Sequence, residues 1–146
     1  MKEVRALNVT DPAKSIFCAG GITNCPDWQA DMLDMLATTE LVVFNPRRKD
    51  FDTSKSDESL RQITWEHQHL AKADAVLFWF PMETLCPITL FELGAWSMTK
   101  KKLFVGCHAD YKRGFDVDIQ MRLARPDVLV VWRLEELAAQ VKRWAE

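Results

Sequence analysis

The chain has 146 residues, of which 48% are hydrophobic and 27% are charged, and its formal net charge is −2. This length suits one domain, and the composition is typical of a globular protein rather than of a disordered chain, a collagen or a polycation. The aromatic residues are unbalanced, with eight Phe and six Trp but one Tyr. We therefore expect a single domain over residues 1–146 that is rich in apolar ring surface and poor in phenolic hydroxyls.

Charge, cysteine usage and hydropathy exclude several functional classes. The basic runs at 47–49 and 100–102 are short and separate, so they do not form the stripe that a nucleic-acid backbone requires. The N-terminus lacks an apolar signal region, and the longest hydrophobic run, 75–82, is too short to span a bilayer. The four cysteines form no C-x-x-C pair and are typical of reduced thiols. We expect a cytoplasmic protein that binds neither a nucleic-acid polymer nor a membrane.

Short apolar runs alternate with stretches of helical period along the chain. The apolar runs are unbroken, as strands buried on both faces require, and predict strands over 15–19, 41–45, 75–80, 103–106 and 128–131. The helical stretches predict helices over 27–38, 57–72, 88–99, 117–123 and 134–144. Pro26 and Pro87 stand where the first turn of a helix tolerates a missing N–H. This alternation predicts an α/β protein of flavodoxin-like fold, with a five-stranded parallel sheet of order 2-1-3-4-5 and helices on both faces.

In such a fold, ligands bind beyond the carboxyl ends of the strands. Gly20 and Gly21 close the first predicted strand, where a backbone without side chains can approach a ligand, although a glycine turn is common after any strand. Asn45, Arg47 and Arg48 close the second. The two guanidinium groups are suited to an anion such as phosphate, or they form a solvated charge run.

Glu92 lies in a predicted helix that is apolar on nearly every side. Helical spacing puts it on one face with two aromatic rings and two aliphatic side chains, those of Ile88, Phe91, Ala95 and Trp96. A carboxylate buried without partners is unfavourable, so its presence there indicates a functional group. The alternative is a glutamate at the rim of the helix with its carboxylate in water.

Glu66 is the natural second carboxylate. It stands eight residues before Asp74, about 12 Å along its helix at 1.5 Å per residue, so we expect both Glu66 and Glu92 to reach the upper part of the fold. His67 and His69 are two residues apart and point to different sides of the helix, so they do not form a metal clamp, and we expect no metal. We expect one histidine to face the core and the other to face solvent, with the core-facing stripe formed by Leu60, Ile63, His67 and Leu70.

Two further acidic residues, Asp116 and Asp118, follow the fourth predicted strand. Their position at the ligand-binding edge makes them candidates for polar contacts to a substrate. They are also placed to act as the negative charges that favour the start of a helix.

Several segments, in this order and spacing, resemble the nucleoside 2-deoxyribosyltransferase-like family. The resemblance runs from about residue 14 to residue 132, and its most specific parts are the E-L-G at Glu92 and the interval from Glu66 to Asp74. The segments are Ile16-Phe17-Cys18-Ala19-Gly20-Gly21, Asn45-Pro46-Arg47-Arg48, Trp65-Glu66, Phe78-Trp79-Phe80-Pro81 and Phe91-Glu92-Leu93-Gly94.

The resemblance implies a flavodoxin-like fold and cleavage of the N-glycosidic bond of a 2′-deoxynucleoside. The deoxyribosyl group would pass to another base or to water through a covalent intermediate on Glu92, with Glu66 assisting at the sugar and base. The partners implied are small nucleosides and nucleobases, without a cofactor, in a homo-oligomer whose sites lie near subunit interfaces. Phe17, Glu83 and Trp79 join the edge residues as candidate substrate contacts, and Trp65, Trp79 and Trp96 as candidate walls of the crevice.

The chemistry agrees with the residues themselves. Breaking an N-glycosidic bond passes through an oxocarbenium-like state, which a carboxylate beneath C1′ can stabilise or capture. The alternative is a catalytically degenerate protein of the same fold that senses a nucleoside or nucleotide. Phe17 favours this alternative, since many family members carry a tyrosine there. Cys86 favours it too, since some members carry an acidic residue there, for which Glu83 or an acidic group of another subunit would have to substitute.

Overall fold

The computed structural model describes residues 1–5, 14–48 and 56–146. These residues form five strands and five helices. In chain order they are β1 (Lys2–Arg5), β2 (Ser15–Gly20), α1 (Trp28–Leu36), β3 (Val42–Asn45), α2 (Ser56–Lys72), β4 (Ala75–Phe80), α3 (Pro87–Ser97), β5 (Lys102–Cys107), α4 (Gly114–Ala124) and α5 (Leu134–Ala145).

The strands form one parallel sheet in the order β1-β3-β2-β4-β5. Strands β2 to β5 correspond to the first four predicted strands and lie in the predicted relative order. The predicted α/β, flavodoxin-like class with a five-stranded parallel sheet is thus confirmed. The two edges of the sheet differ from the prediction.

One edge lacks the predicted strand over 128–131. Only Val131 pairs there, in an isolated bridge to Gly106, with the Cys107 N–H donating to the Val131 carbonyl at 2.9 Å. The segment leaves α4 through a turn in which the Val128 N–H donates to the Arg125 carbonyl, and α5 begins at Leu134. Too few extended residues remain between the turn and the helix to form a ladder.

The other edge carries β1, which the apolar pattern did not predict. Its residues pair with β3 from Lys2 opposite Val42 to Arg5 opposite Asn45. Of the four residues in β1, only Val4 is apolar, and it is buried. Charged residues are common on edge strands, where they discourage pairing with other chains, so an edge strand gives a weak hydrophobic signal.

Helices cover both faces of the sheet, as predicted. Alternate residues of each strand belong to two separate cores: Phe17 and Phe78 pack beneath α2, α3 and α4, whereas Cys18 and Leu77 pack against α1 and α5. Strands β2, β3 and β4 are buried along nearly their whole length, which explains their unbroken apolar sequences.

The helices match the predicted ones with small shifts at their ends. Helix α3 begins at Pro87, where the missing N–H is tolerated. Helix α1 begins one residue later than predicted, because the Asp27 carboxylate accepts the Ala30 N–H and caps it. No helix in the described parts of the chain has both the length and the apolar character needed to cross a membrane.

The buried face of α2 is not the predicted one. Leu60, Ile63 and His67 are exposed, whereas Trp65 and His69 are buried and stack with ring centroids 4.1 Å apart. The predicted stripe of Leu60, Ile63, His67 and Leu70 is therefore wrong for all but Leu70. The histidine that faces the core is His69, whose Nδ1 lies 2.7 Å from the Trp65 carbonyl oxygen.

Candidate active site

Glu92 and Glu66 lie on two of the three helices that begin at the carboxyl edge of the sheet and cover the same face. Parallel pairing aligns the ends of the central strands, with Gly20 opposite Trp79 and Trp79 opposite Gly106. Glu92 is in the second turn of α3, and Glu66 is on α2. The structure thus brings together the two carboxyl groups that the sequence singled out.

The environment of Glu92 favours its neutral form. The side chain is partly buried, and this burial, followed by the negative charge of Glu66, raises the pKa of Glu92 to about 8. The effect of Glu66 on this pKa requires the two carboxyl groups to be close.

Glu66 is held by a neighbour on its own helix. The Gln62 amide donates from Nε2 to Glu66 Oε1 at 2.8 Å and to the Pro46 carbonyl at 2.9 Å. Burial raises the pKa of Glu66, and the bond from Gln62 partly opposes that rise. Among the described residues, no Lys or Arg forms an ion pair with Glu66 or Glu92.

Gln62 was not identified from the sequence. The signal that could have found it is its position four residues before Glu66, which places both side chains on one face of α2. A polar side chain does not contribute to the apolar pattern from which the core-facing side of a helix is predicted.

The face of α3 that carries Phe91 and Trp96 is only partly buried. Thr89, Leu93 and Ser97 are buried against the sheet, while Ile88 and Phe91 are exposed. Trp96 packs at the margin of the core, and Glu92 lies between the buried and exposed sides. Since the helix is apolar on nearly every side, its spacing could not show which side packs.

Gly20 and Gly21 are close to protein atoms rather than to open space. A Cβ on Gly20 would lie 2.3 Å from the Trp28 ring, and one on Gly21 would lie 2.9 Å from Pro81 and 3.0 Å from the Cys86 sulfur. Contacts this short exclude a side chain. The two glycines thereby let the end of β2 pack against α1 and against the loop that leads to α3.

Arg47 holds the loop after β2. Its guanidinium donates to the Pro26 carbonyl at 2.9 Å, to Gln29 Oε1 at 3.0 Å and to the Cys25 carbonyl at 3.0 Å. The Asp27 carboxylate oxygen Oδ1 lies 3.7 Å from Arg47 Nη1. These contacts give Arg47 a role in loop packing; its predicted contact with substrate stays a prediction.

Asn45 and Arg48 also form bonds with other residues of the chain. Asn45 is buried, donates to Glu3 Oε1 at 3.0 Å and accepts the Arg47 N–H at 3.0 Å. Arg48 forms an ion pair with Glu58 on α2. These bonds join β1, the end of β3 and α2 above the sheet.

The predicted aromatic contacts divide between the two faces of the sheet. Phe17 is buried in mid-strand with its ring centroid 6.0 Å from that of Trp65, on the face that carries the carboxyl groups. Trp79 lies on the opposite face, beside Gly106 and the core under α1 and α5. The structure therefore does not bring Trp79 together with Glu92.

The remaining predicted contacts lie near the edge of the sheet. Glu83 is exposed in the loop between β4 and α3. Asp116 and Asp118 are in the first turns of α4 and pair with Arg113 at 3.3 Å and Arg122 at 3.0 Å. A role for Asp116 at the helix start agrees with this position.

Tyr111 links two loops at the carboxyl edge. Its hydroxyl donates to the Leu85 carbonyl at 2.7 Å, and its ring stacks on Phe80 at 5.0 Å. The single tyrosine of the chain thus fixes the loop that precedes α3 rather than standing beside Glu92.

Two further features of the described structure, a surface groove and the distribution of metal-binding side chains, do not add to this site. A surface groove bordered by Lys102, Phe104 and Trp144 lies at the amino end of β5, away from the carboxyl groups. Within residues 1–5, 14–48 and 56–146, no group of three or more His, Cys, Asp or Glu side chains is placed to hold a metal ion.

Comparison with known proteins agrees with the resemblance seen in the sequence. A family model described as nucleoside 2-deoxyribosyltransferase like matches residues 13–111, which is more than half of the chain and includes both glutamates. No curated protein matches the chain. The family-model match, with which the parallel sheet agrees, shows that the chain belongs to the nucleoside 2-deoxyribosyltransferase-like family.

Proposed function

We propose that the protein cleaves the N-glycosidic bond of a 2′-deoxynucleoside and transfers the deoxyribosyl group to another nucleobase or to water. The observation that carries this proposal is the pair of partly buried carboxyl groups of Glu92 and Glu66, which interact across the space between α3 and α2. Most enzymes that cleave glycosidic bonds use two carboxyl groups that lie near one another.

Glu92 is the nucleophile in this proposal. Its carboxylate oxygen bonds to C1′ of the sugar as the bond from C1′ to the base nitrogen breaks, and the bonding electrons leave with the base, which takes up a proton. A nitrogen of the acceptor base, or a water oxygen, then bonds to C1′ and releases Glu92 as a carboxylate. The acceptor loses one proton in this step, which balances the proton taken up by the leaving base. The first step requires ionised Glu92, whose pKa is about 8.

Glu66 orients the sugar in this proposal. The hydrogen bond from Gln62 favours the carboxylate form of Glu66, which can accept a hydrogen bond from a sugar hydroxyl. Correct placement of C1′ over Glu92 lowers the activation free energy, because the entropy of orienting the reacting atoms has already been lost on binding.

The test is an exchange assay on the purified full chain. A panel of purine and pyrimidine deoxynucleosides is incubated with a second base, and the products are separated by chromatography. We expect free base together with a new deoxynucleoside, or free base and deoxyribose if water is the acceptor.

The same assay separates the enzyme from the sensor. Phe17 lies in the core against Trp65 and supplies no hydroxyl to the site, which is the observation that keeps the sensor in consideration. Binding of a nucleoside, measured by calorimetry, without product from any member of the panel would contradict the proposed reaction and support the sensor.

We propose in addition that the chain forms a homo-oligomer through the outer face of α3. Ile88, Phe91 and Met98 are 65%, 76% and 80% exposed, and a Cβ on Gly94 would meet no atom within 4 Å. Glu92 is the one charged residue of α3. Apolar surface of this kind typically marks a protein interface, and a face with so little charge suits a second copy of itself.

Light scattering after gel filtration tests the oligomer. We expect the wild-type chain to elute as an oligomer and Phe91→Asp to lower its mass toward that of a monomer, because a buried charge would oppose packing. Leu129→Asp is the control, since Leu129 is 72% exposed outside α3. A monomeric wild-type chain, or an unchanged mass for Phe91→Asp, would contradict this interface.

The proposed partners and location follow from the same features. The substrates are small nucleosides and nucleobases rather than a nucleic-acid polymer, because the family is named for nucleosides. A cytoplasmic location is proposed from the cysteines, since Cys18, Cys25, Cys86 and Cys107 are free thiols.

A further inference from the structure

The Gln62 side chain has an orientation that does not depend on Glu66. Its Nε2 group lies 2.9 Å from the Pro46 carbonyl oxygen, which can only accept a hydrogen bond. A reversed amide would place Gln62 Oε1 against the oxygens of both Pro46 and Glu66. The Pro46 carbonyl therefore keeps an N–H of Gln62 directed at Glu66 Oε1, 2.8 Å away.

The burial of Gln62 is not explained by stability alone. Gln62 is 6% exposed, and its Oε1 atom is buried without a hydrogen-bond partner. An unpaired buried acceptor destabilises the folded chain, because it has lost its hydrogen bond to water. An amide retained at such a cost, with one N–H on a carboxyl group of the site, points to a role at that carboxyl group.

We propose that Gln62 is the positioning residue for Glu66. The Nε2 group of Gln62 donates to the Pro46 carbonyl and to Glu66 Oε1. It thereby fixes the Glu66 carboxyl group and leaves Glu66 Oε2 to the substrate. The proposal rests on the proposed function, in which Glu66 accepts a hydroxyl of the sugar. Gln62 acts through Glu66 and touches no reacting atom.

The groups around Glu66 allow this effect to be measured. On α3, the titratable group that Glu66 affects is Glu92, a second acid. The strands beneath α2 and α3 contribute apolar side chains on this face, among them Phe17, Ala19 and Phe78. The amide of Gln62 is thus the contact that favours the charged form of Glu66, whereas burial opposes that form.

Titration by NMR of the full-length protein tests the proposal. In the wild-type chain, the Gln62 side-chain N–H resonance is expected to shift with pH together with the Glu66 carboxyl carbon. In Gln62→Leu, the Glu66 titration is expected to move upward by about one pH unit, because a hydrogen bond to a charged group is lost. Gln68→Leu, an exposed change on the same helix, is the control and should leave it unmoved.

The outcomes separate this proposal from the proposed reaction. A Glu66 titration that is unchanged in folded Gln62→Leu would overturn the positioning role. So would a Gln62 side-chain N–H resonance that does not shift in the wild-type protein as Glu66 titrates. The second measurement needs no variant, so it decides the matter even if Gln62→Leu fails to fold. Neither readout requires turnover, so both remain valid if the exchange assay shows no product. Where product is formed, kcat/KM of Gln62→Leu should fall about tenfold.

Discussion

Replacing Glu92 by Gln is expected to reduce base release from deoxynucleosides about 10³-fold or more. The amide has the shape of the carboxyl group but cannot form the glycosyl ester, so the covalent route is lost. The measurement is initial rate of base release by chromatography, for the deoxynucleoside that the wild-type protein turns over fastest.

The matched control is Glu136→Gln, an exposed carboxyl change on α5, which packs on the opposite face of the sheet. It should keep the wild-type rate. Circular dichroism should show that both variants are folded. Turnover by Glu92→Gln at the wild-type rate would rule out Glu92 as the nucleophile and, with it, the proposed covalent intermediate.

The second large effect of Glu92→Gln is expected on stability, with a definite pH dependence. Folding raises the pKa of Glu92 to about 8 from its ordinary value near 4.5. Between these values the unfolded chain has lost the Glu92 proton and the folded chain retains it, so rising pH favours unfolding. The penalty is absent below about pH 4.5 and reaches its full size above about pH 8.

Glu92→Gln removes this penalty because the amide stays neutral. We expect the variant to be more stable than the wild type by about 2–4 kcal/mol at pH 8.5 and nearly equal to it at pH 4.5. Urea unfolding at both pH values, at one protein concentration, measures the difference. A gap of the same size at both pH values, or none at pH 8.5, would show that Glu92 ionises normally in the folded chain.

Loss of activity together with a gain in stability would be the mark of a functional carboxyl group. Side chains that stabilise a fold weaken it when they are removed, whereas groups kept for chemistry often do the reverse. Glu136→Gln should keep the wild-type rate and lower the stability by at most about 0.3–1 kcal/mol, since its exposed carboxylate lies in the first turn of α5, where negative charge is mildly favourable.

Much of the fold could be predicted because buried strands require unbroken apolar runs. Residues 75–80 illustrate this, since all six are buried in β4 between two layers of helices. β1 escaped prediction because an edge strand tolerates charge, and 128–131 was overpredicted because apolar residues near a turn resemble a strand.

The same limits apply to the faces of helices. Spacing could not orient α3, which is apolar on nearly all sides, and it misjudged α2, whose buried side carries Gln62 and His69. A helix face is buried by what it meets rather than by its own composition, so polar residues that find partners were placed on the wrong side.

By itself, the sequence determined the parallel α/β sheet and the family resemblance, and it singled out the two glutamates as candidates, because these depend on local pattern and spacing. Only the tertiary structure decided that Glu66 and Glu92 interact, that Gln62 binds Glu66, that Arg47 holds a loop and that Trp79 lies on the opposite face. The physical reason is that hydrogen bonds, burial and charge effects act through space. They join residues such as Gln62 and Pro46, or Arg47 and Cys25, which only the folded chain brings together.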